Sequence, residues 1–70
     1  MRTYQSIQFT VENDIAVLRL NRPDRMNALS TEMRAEIMDA ARSAPRQARV
    51  LVLTGEGRAF CAGQDLSDGR

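Results

Sequence analysis

Apolar and polar residues alternate along residues 7–11, near the start of the chain. A polar triplet follows at 12–14, and residues 15–20 after it are mostly apolar. A period of two is typical of strands that bury one face, and the triplet supplies a turn, so the pattern predicts a β-hairpin. In the second strand, we expect one face to carry Ala16, Leu18 and Leu20 and the other to carry Ile15, Val17 and Arg19.

A helix is predicted after the loop that begins at Pro23. Ser30 is a good N-cap, and Glu32 suits the positive end of a helix. Apolar residues then recur at helical spacing, which predicts a stripe buried against the sheet. This stripe consists of Met33, Ile37, Ala40, Ala41 and Ala44. Pro45 disfavours helical geometry at the residue before it, so we expect the helix to end near Ala44.

A continuous apolar run at residues 50–53 predicts a third strand, buried within a parallel sheet. The chain then enters a glycine-rich loop. We expect Gly55 and Gly57 to allow positive φ angles, and Gly63 to let the backbone pass close to another group. The order ββαβ predicts an α/β fold whose last strand leads into this loop.

The residues after the loop suit the start of another helix. Asp65 and its neighbours at 67–68 are acceptors of the kind that cap helices. We therefore expect the backbone N–H of Gln64 at the positive end of a helix, beside an apolar pocket from Phe60 and Leu66. A donor in such a position is suited to an oxygen that becomes negative during a reaction.

Composition then narrows the classes of function. The 70 residues carry a formal net charge of +1 with both signs interspersed, which argues against a nucleic-acid surface. All ten basic residues are arginine, so a phosphate loop that requires lysine is excluded. With no histidine and one cysteine, no metal site is expected. Neither a leader nor a long apolar segment is evident, so we expect a cytoplasmic protein that makes no use of a membrane.

Two motifs carry a resemblance to a known family. Residues 20–29 read Leu-Asn-Arg-Pro-Asp-Arg-Met-Asn-Ala-Leu, and residues 60–66 read Phe-Cys-Ala-Gly-Gln-Asp-Leu. Together, in this order and at this separation, they resemble the crotonase superfamily of enoyl-CoA hydratases and isomerases. The resemblance implies that residues 1–70 are the N-terminal part of one larger acyl-CoA-binding domain, built as a spiral of ββα units. The second motif most resembles ring-epoxide phenylacetyl-CoA isomerases, in which glutamine replaces the alanine of many hydratases.

The resemblance also implies roles for particular residues. The backbone N–H of Gln64 would form one half of an oxyanion hole for the thioester oxygen of acyl-CoA. Residues 24–28 would pack against the CoA moiety, and Arg25 would additionally suit a phosphate. The substrate-binding residues implied in this way are Arg25, Met26, Ala28, Ala62, Gln64, Asp65 and Leu66. No cofactor is expected, because coenzyme A is the acyl carrier of the substrate.

These residues also have other interpretations. A dinucleotide-binding loop is disfavoured, because its glycine pattern would require glycine at the position of Phe60. Asp65 suits a helix cap better than a catalytic base. Cys61 lacks a histidine partner in this chain, so a packing role is expected. Arg58 is expected to be a solvated charge, with a phosphate contact as the alternative. Residues 24–28 have the alternative of a solvent-facing turn whose polar side chains, Asn27 and Ser30, satisfy backbone groups.

The function predicted first is an enzyme of the enoyl-CoA hydratase/isomerase type that stabilises a thioester enolate. Isomerisation of a phenylacetyl-CoA ring epoxide is an alternative within the family, and a catalytically silent acyl-CoA-binding module is an alternative from another class. The acid or base and the second oxyanion donor are expected beyond residue 70. The 70-residue piece alone is therefore expected to be inactive. It is also expected to have little stable folding, because so short a chain buries little apolar surface. By resemblance, a homotrimer or hexamer is expected.

Overall fold

The computed structural model describes residues 4–63, which begin with a β-hairpin. Strands β1 (Ile7–Glu12) and β2 (Ile15–Leu20) run antiparallel. The two residues between them, Asn13 and Asp14, have φ angles of 54° and 67°. Asparagine and aspartate tolerate these left-handed angles, and two such residues in a row suit a tight hairpin turn. The predicted hairpin is confirmed.

Strand β3 (Val50–Gly55) extends the sheet on the other side of β2 and runs parallel to it, so the strand order is β1-β2-β3. Parallel neighbours require a crossover connection. That connection contains helix α1 (Thr31–Ser43) and a 3₁₀ turn (Ala44–Arg46). The predicted ββαβ order of an α/β fold is confirmed.

Helix α1 begins and ends where its sequence predicts. The Ser30 Oγ accepts a hydrogen bond of 3.1 Å from the Met33 N–H, which makes Ser30 the N-cap. The α-helix ends at Ser43, so the predicted end near Ala44 is confirmed. Ala44 itself keeps right-handed helical angles of −58° and −42°, although proline follows it and disfavours them. Pro45 lies in the first turn of the 3₁₀ segment, where a missing N–H costs no hydrogen bond.

The core lies between α1 and one face of the hairpin. Its buried cluster consists of Ile7, Leu18, Leu20, Met33 and Ala40. The predicted inner face of β2 is buried, as is most of the predicted helix stripe, in which only Ile37 and Ala41 are half-buried. The periodicity of both elements thus identified the surfaces that pack together.

The prediction that residues 50–53 form a buried strand is correct for the parallel pairing and wrong for the burial. The side chains of Val50, Leu51, Val52 and Leu53 are exposed by 41–53%. A continuous apolar run is buried when layers cover both faces of the sheet. Among residues 4–63, the buried cluster draws on β1, β2 and α1, and β3 lies at the edge of the sheet.

Glu36 ties the residues before β1 to α1. Its carboxylate accepts hydrogen bonds of 2.8 Å from the Gln5 N–H, the Ser6 N–H and the Ser6 hydroxyl. Partial burial opposes the charged form of Glu36, but these bonds and one from the Ile7 N–H outweigh it and lower its pKa. The Tyr4 hydroxyl donates at 2.7 Å to Asp39, which lies about one helical turn after Glu36 on α1.

Candidate functional site

The two sequence motifs meet in a pair of loops, here named the first loop (residues 22–29) and the glycine loop (residues 55–63). The Ala62 N–H donates to the Met26 carbonyl at 3.0 Å, and the Leu29 N–H donates to the Gly63 carbonyl at 2.7 Å. Two main-chain hydrogen bonds therefore place the loops side by side, although residues 30–54, which contain α1 and most of β3, separate them in the sequence.

Asn27 adds side-chain bonds between the same two loops. It is fully buried, with 0% of its surface exposed. Its Oδ1 accepts from the Arg22 N–H at 2.7 Å, while its Nδ2 donates to the carbonyls of Glu56 at 2.9 Å and Ala59 at 2.7 Å. The side chain thus uses its acceptor and both of its donor hydrogens. The expectation that Asn27 satisfies backbone groups is confirmed, but its position is buried and not solvent-facing.

Hydrogen bonds within the first loop also hold its backbone in place. The 3₁₀ turn Pro23–Arg25 leads into Met26 and Asn27, whose φ angles of 50° and 56° are left-handed. The Arg22 guanidinium donates to the Ala28 carbonyl at 2.6 Å, and the Asn27 N–H donates to the Arg22 carbonyl at 2.8 Å. These bonds fix the course of the loop while its tip stays at the surface, where the Met26 side chain is 44% exposed.

Two glycines of the loop have roles that differ from those predicted. Gly55 lies in β3, outside the positive-φ set. A Cβ on Gly55 would lie 2.5 Å from the Phe60 carbonyl oxygen and 2.9 Å from Asn27 Nδ2, so another chain segment approaches closely here. Gly63 has a φ of 107°, and no described atom lies within 4 Å of a Cβ placed there. Only Gly57, with a φ of 91°, has the conformation expected of it.

The predicted substrate-binding residues fall into two groups. Arg25, Met26 and Ala62 are exposed and Ala28 is half-buried, all on the paired loops. Gln64, Asp65 and Leu66 lie outside the described residues, so the oxyanion role of the Gln64 amide stays a prediction. Sequence reasoning did not identify Arg22 or Leu29 as contributors, because a guanidinium bond and a main-chain bond to a distant segment leave no local pattern.

Other residues of the glycine loop match their simpler interpretations. Cys61 is half-buried and packs against the core cluster, as expected of a packing residue. Arg58 is exposed. Phe60, which was expected to line an apolar pocket with Leu66, is 52% exposed. Its ring therefore presents apolar surface beside the paired loops.

The rest of residues 4–63 offers no competing chemical centre. Within that range, no three His, Cys, Asp or Glu side chains come together as metal ligands. The described part of the chain also contains no helix long and apolar enough to span a bilayer. An open groove of about 870 Å³ lies along β1 and the end of α1, and its lining includes no residue of either loop.

Comparison with known families and proteins gives concordant matches. The family model described as enoyl-CoA hydratase/isomerase matches residues 10–70. A probable enoyl-CoA hydratase of Rhodobacter capsulatus is 49% identical over 67 residues, which cover 96% of this chain and 26% of that protein. The 1,2-epoxyphenylacetyl-CoA isomerase of Escherichia coli is 47% identical over 60 residues, which cover 83% of this chain and 23% of that protein.

Solved structures give the same picture. An enoyl-CoA hydratase subunit from Geobacillus kaustophilus superposes with a TM-score of 0.89 at 44% identity, covering 94% of this chain and 26% of that one. An enoyl-CoA hydratase/isomerase from Mycobacterium paratuberculosis gives a TM-score of 0.88 at 40% identity, covering 93% and 26%. The predicted fold is confirmed, and the chain spans about a quarter of the length of these relatives.

Proposed function

Because the chain belongs to the enoyl-CoA hydratase/isomerase family, we propose that it supplies the thioester-binding part of an acyl-CoA-processing active site. The observation that carries the proposal is the pairing of the two motif loops through the Met26–Ala62 and Leu29–Gly63 hydrogen bonds. This pairing brings a candidate CoA-binding loop beside the segment that leads directly into Gln64.

The first loop would bind the CoA portion of the substrate. Its tip, residues 23–26, is exposed, and its course is fixed by bonds from Arg22 and Asn27. Fixed main-chain groups lose little freedom when they meet a ligand, which favours binding. Arg25 brings a guanidinium suited to a phosphate, and Met26 brings apolar surface for the uncharged part of CoA.

The chemical role assigned to Gln64 is that of one oxyanion donor. Its backbone N–H would receive the thioester oxygen as negative charge develops toward an enolate. A preorganised donor of this kind lowers the barrier by about 3 kcal/mol. The second donor and the acidic groups that move protons would come from parts of the complete polypeptide outside residues 1–70.

Isomerisation of a phenylacetyl-CoA ring epoxide is the second candidate. It is favoured by glutamine at position 64 and by the 47% identity to the Escherichia coli isomerase. Both candidates require stabilisation of charge on the thioester oxygen, so the shared residues do not separate them. A catalytically silent acyl-CoA-binding module is the candidate from another class, and it differs only in the groups that transfer protons.

We also propose that residues 1–70 form part of a larger domain, since the chain spans about a quarter of the length of its relatives. The exposed apolar side chains of β3 support the proposal, because a further layer would bury them. A homotrimer or hexamer and a cytoplasmic location rest on the family resemblance alone.

The test is conversion of defined thioesters by the complete polypeptide. A conjugated straight-chain enoyl-CoA and the ring epoxide of phenylacetyl-CoA would be supplied separately, with products identified by mass spectrometry. Hydration or double-bond migration of the first supports the main proposal, and isomerisation of the second supports the alternative. Binding of both thioesters without conversion would indicate a silent module. Failure to bind either thioester would contradict the acyl-CoA assignment.

A further inference from the structure

Asn27 occupies a position that few residues can fill. Its φ of 56° lies in the left-handed region, which asparagine tolerates better than most residues. Its side chain satisfies one N–H and two carbonyls while excluded from solvent. Aspartate has the same shape but would place an oxygen, instead of an NH₂ group, against the two carbonyls. The site therefore selects a primary amide by its hydrogen-bonding requirements.

The glycine loop is shaped to receive this amide. Gly55 has no Cβ at the point where one would lie 2.9 Å from Asn27 Nδ2. The carbonyls of Glu56 and Ala59 both turn toward that nitrogen. Further along, the Met26 carbonyl and the Leu29 N–H hold Ala62 and Gly63. The first loop thus holds the glycine loop at its start, at its middle and at its end.

The last of these bonds acts on the peptide group that carries the predicted oxyanion donor. The Gly63 carbonyl and the Gln64 nitrogen belong to one peptide unit, and a planar unit turns as a whole. A bond that holds the carbonyl therefore restrains the direction of the N–H. The Leu29 N–H provides such a bond, at 2.7 Å. The first loop therefore holds the carbonyl side of this peptide unit.

We propose that Asn27 is a positioning residue, which locks the first loop to the glycine loop and thereby aligns the Gln64 amide with the thioester oxygen. The inference rests on the proposed function and extends it. Asn27 acts through Ala59 and through the Leu29–Gly63 bond, without contact with the substrate. CoA binding on the first loop and stabilisation of the oxyanion are consequently coupled through one buried side chain.

The experiment compares Asn27→Asp with Asn13→Asp in the complete polypeptide. Asn13 is a matched control, because it has a similar φ of 54° but lies exposed in the hairpin turn. A misplacement of about 1 Å in an active site can cost about 100-fold in rate, so N27D is expected to lower kcat by about 10- to 100-fold. It is also expected to weaken binding of free coenzyme A, whereas N13D should change both quantities by less than about twofold.

A third variant separates positioning from loss of stability. Met33→Ala opens a cavity in the core at a buried residue outside both loops. All variants would be assayed at a temperature where circular dichroism shows them folded. A large loss of kcat in N27D with kcat retained in M33A supports positioning. Equal losses in N27D and M33A would overturn the proposal, as would parent-like kcat in N27D.

A backbone substitution gives an answer even where N27D fails to fold. Replacing the Leu29 amide by an ester removes the N–H and keeps every side chain. An ester at Asn21, whose N–H donates to the Ser6 carbonyl at 2.9 Å outside both loops, is the control. About a tenfold loss of kcat at Leu29 alone supports the proposal, and equal kcat in the two esters overturns it. A parent protein that converts no thioester would overturn the proposed function together with this inference, whereas an active parent with unaffected variants overturns the inference alone.

Discussion

Asn27 Nδ2 donates a hydrogen bond of 2.7 Å to the carbonyl oxygen of Ala59, 32 residues further along the chain. The same nitrogen reaches the Glu56 carbonyl at 2.9 Å. One buried amide thus joins the loop after β2 to the loop after β3. Because β2 and β3 are parallel neighbours, the C-terminal ends of both strands lie at the same end of the sheet. The fold brings the loops together, and Asn27 fixes their relative position.

Removal of the Asn27 amide is expected to destabilise the protein. Asn27→Ala leaves one N–H and two carbonyls without their partner in a buried site, which costs on the order of 3 kcal/mol. Urea unfolding of the complete polypeptide, monitored by circular dichroism, measures the loss of stability. Asn13→Ala serves as the control for placing alanine at a left-handed φ, and its smaller effect is subtracted. An equal loss in both variants would show that the three bonds contribute little.

The two glycines that exchange their predicted roles are expected to lose different amounts of stability on substitution. Gly55→Ala places a methyl group 2.5 Å from the Phe60 carbonyl oxygen, so it is expected to destabilise by about 3 kcal/mol. Gly63→Ala meets no described atom and only strains φ, at a cost of about 1 kcal/mol. Unfolding midpoints of the two variants give the comparison. A D-alanine at position 63 should restore the parent midpoint, because its chirality suits a positive φ.

Glu36 is expected to make stability depend on pH in the acidic range. Its pKa is lowered in the folded protein, so its contribution to stability is fully present above the ordinary pKa of a glutamate and is lost as the pH falls through the lower folded-state pKa. Glu36→Gln should therefore destabilise at neutral pH and converge with the parent in acid. Glu32→Gln, at an exposed position of the same helix, is the control. Parallel pH profiles for the parent and E36Q would contradict this assignment.

The apolar surface of β3 predicts self-association of the 70-residue chain. An edge strand with exposed apolar side chains offers both backbone and side-chain partners. Leu53→Lys should reduce association measured by sedimentation velocity. Met38→Lys is a matched control, since Met38 and Leu53 are both 51% exposed but Met38 lies on α1. Equal effects of the two lysines would indicate that β3 has no special part in association.

Local patterns predicted the elements of this fold well. The period of two in β2 and the cap at Ser30 depend on neighbours within a few residues, and both are observed. Burial of β3 was predicted wrongly. Burial depends on which other elements pack on the sheet, and the residues of the strand do not specify those elements. The roles of Gly55 and Gly63 were exchanged because only tertiary contacts decide which glycine meets another chain segment.

The candidate site was predictable in part. The motif resemblance identified both loops, and asparagine at position 27 was expected to bond to backbone groups. Its partners at Glu56 and Ala59 lie 29 and 32 residues away, beyond the reach of any local pattern. The bond between Leu29 and Gly63 uses only main-chain atoms, so no side-chain identity marks it in the sequence.

The central claim is that the Gln64 amide receives the thioester oxygen of an acyl-CoA. A crystal structure of the complete polypeptide with an unreactive acyl-CoA analogue tests it most directly. We expect a distance of about 3 Å between the Gln64 nitrogen and the thioester oxygen, with the CoA portion lying along the first loop. A Gln64 N–H that is hydrogen-bonded within the protein, or a thioester bound away from the two loops, would contradict the claim.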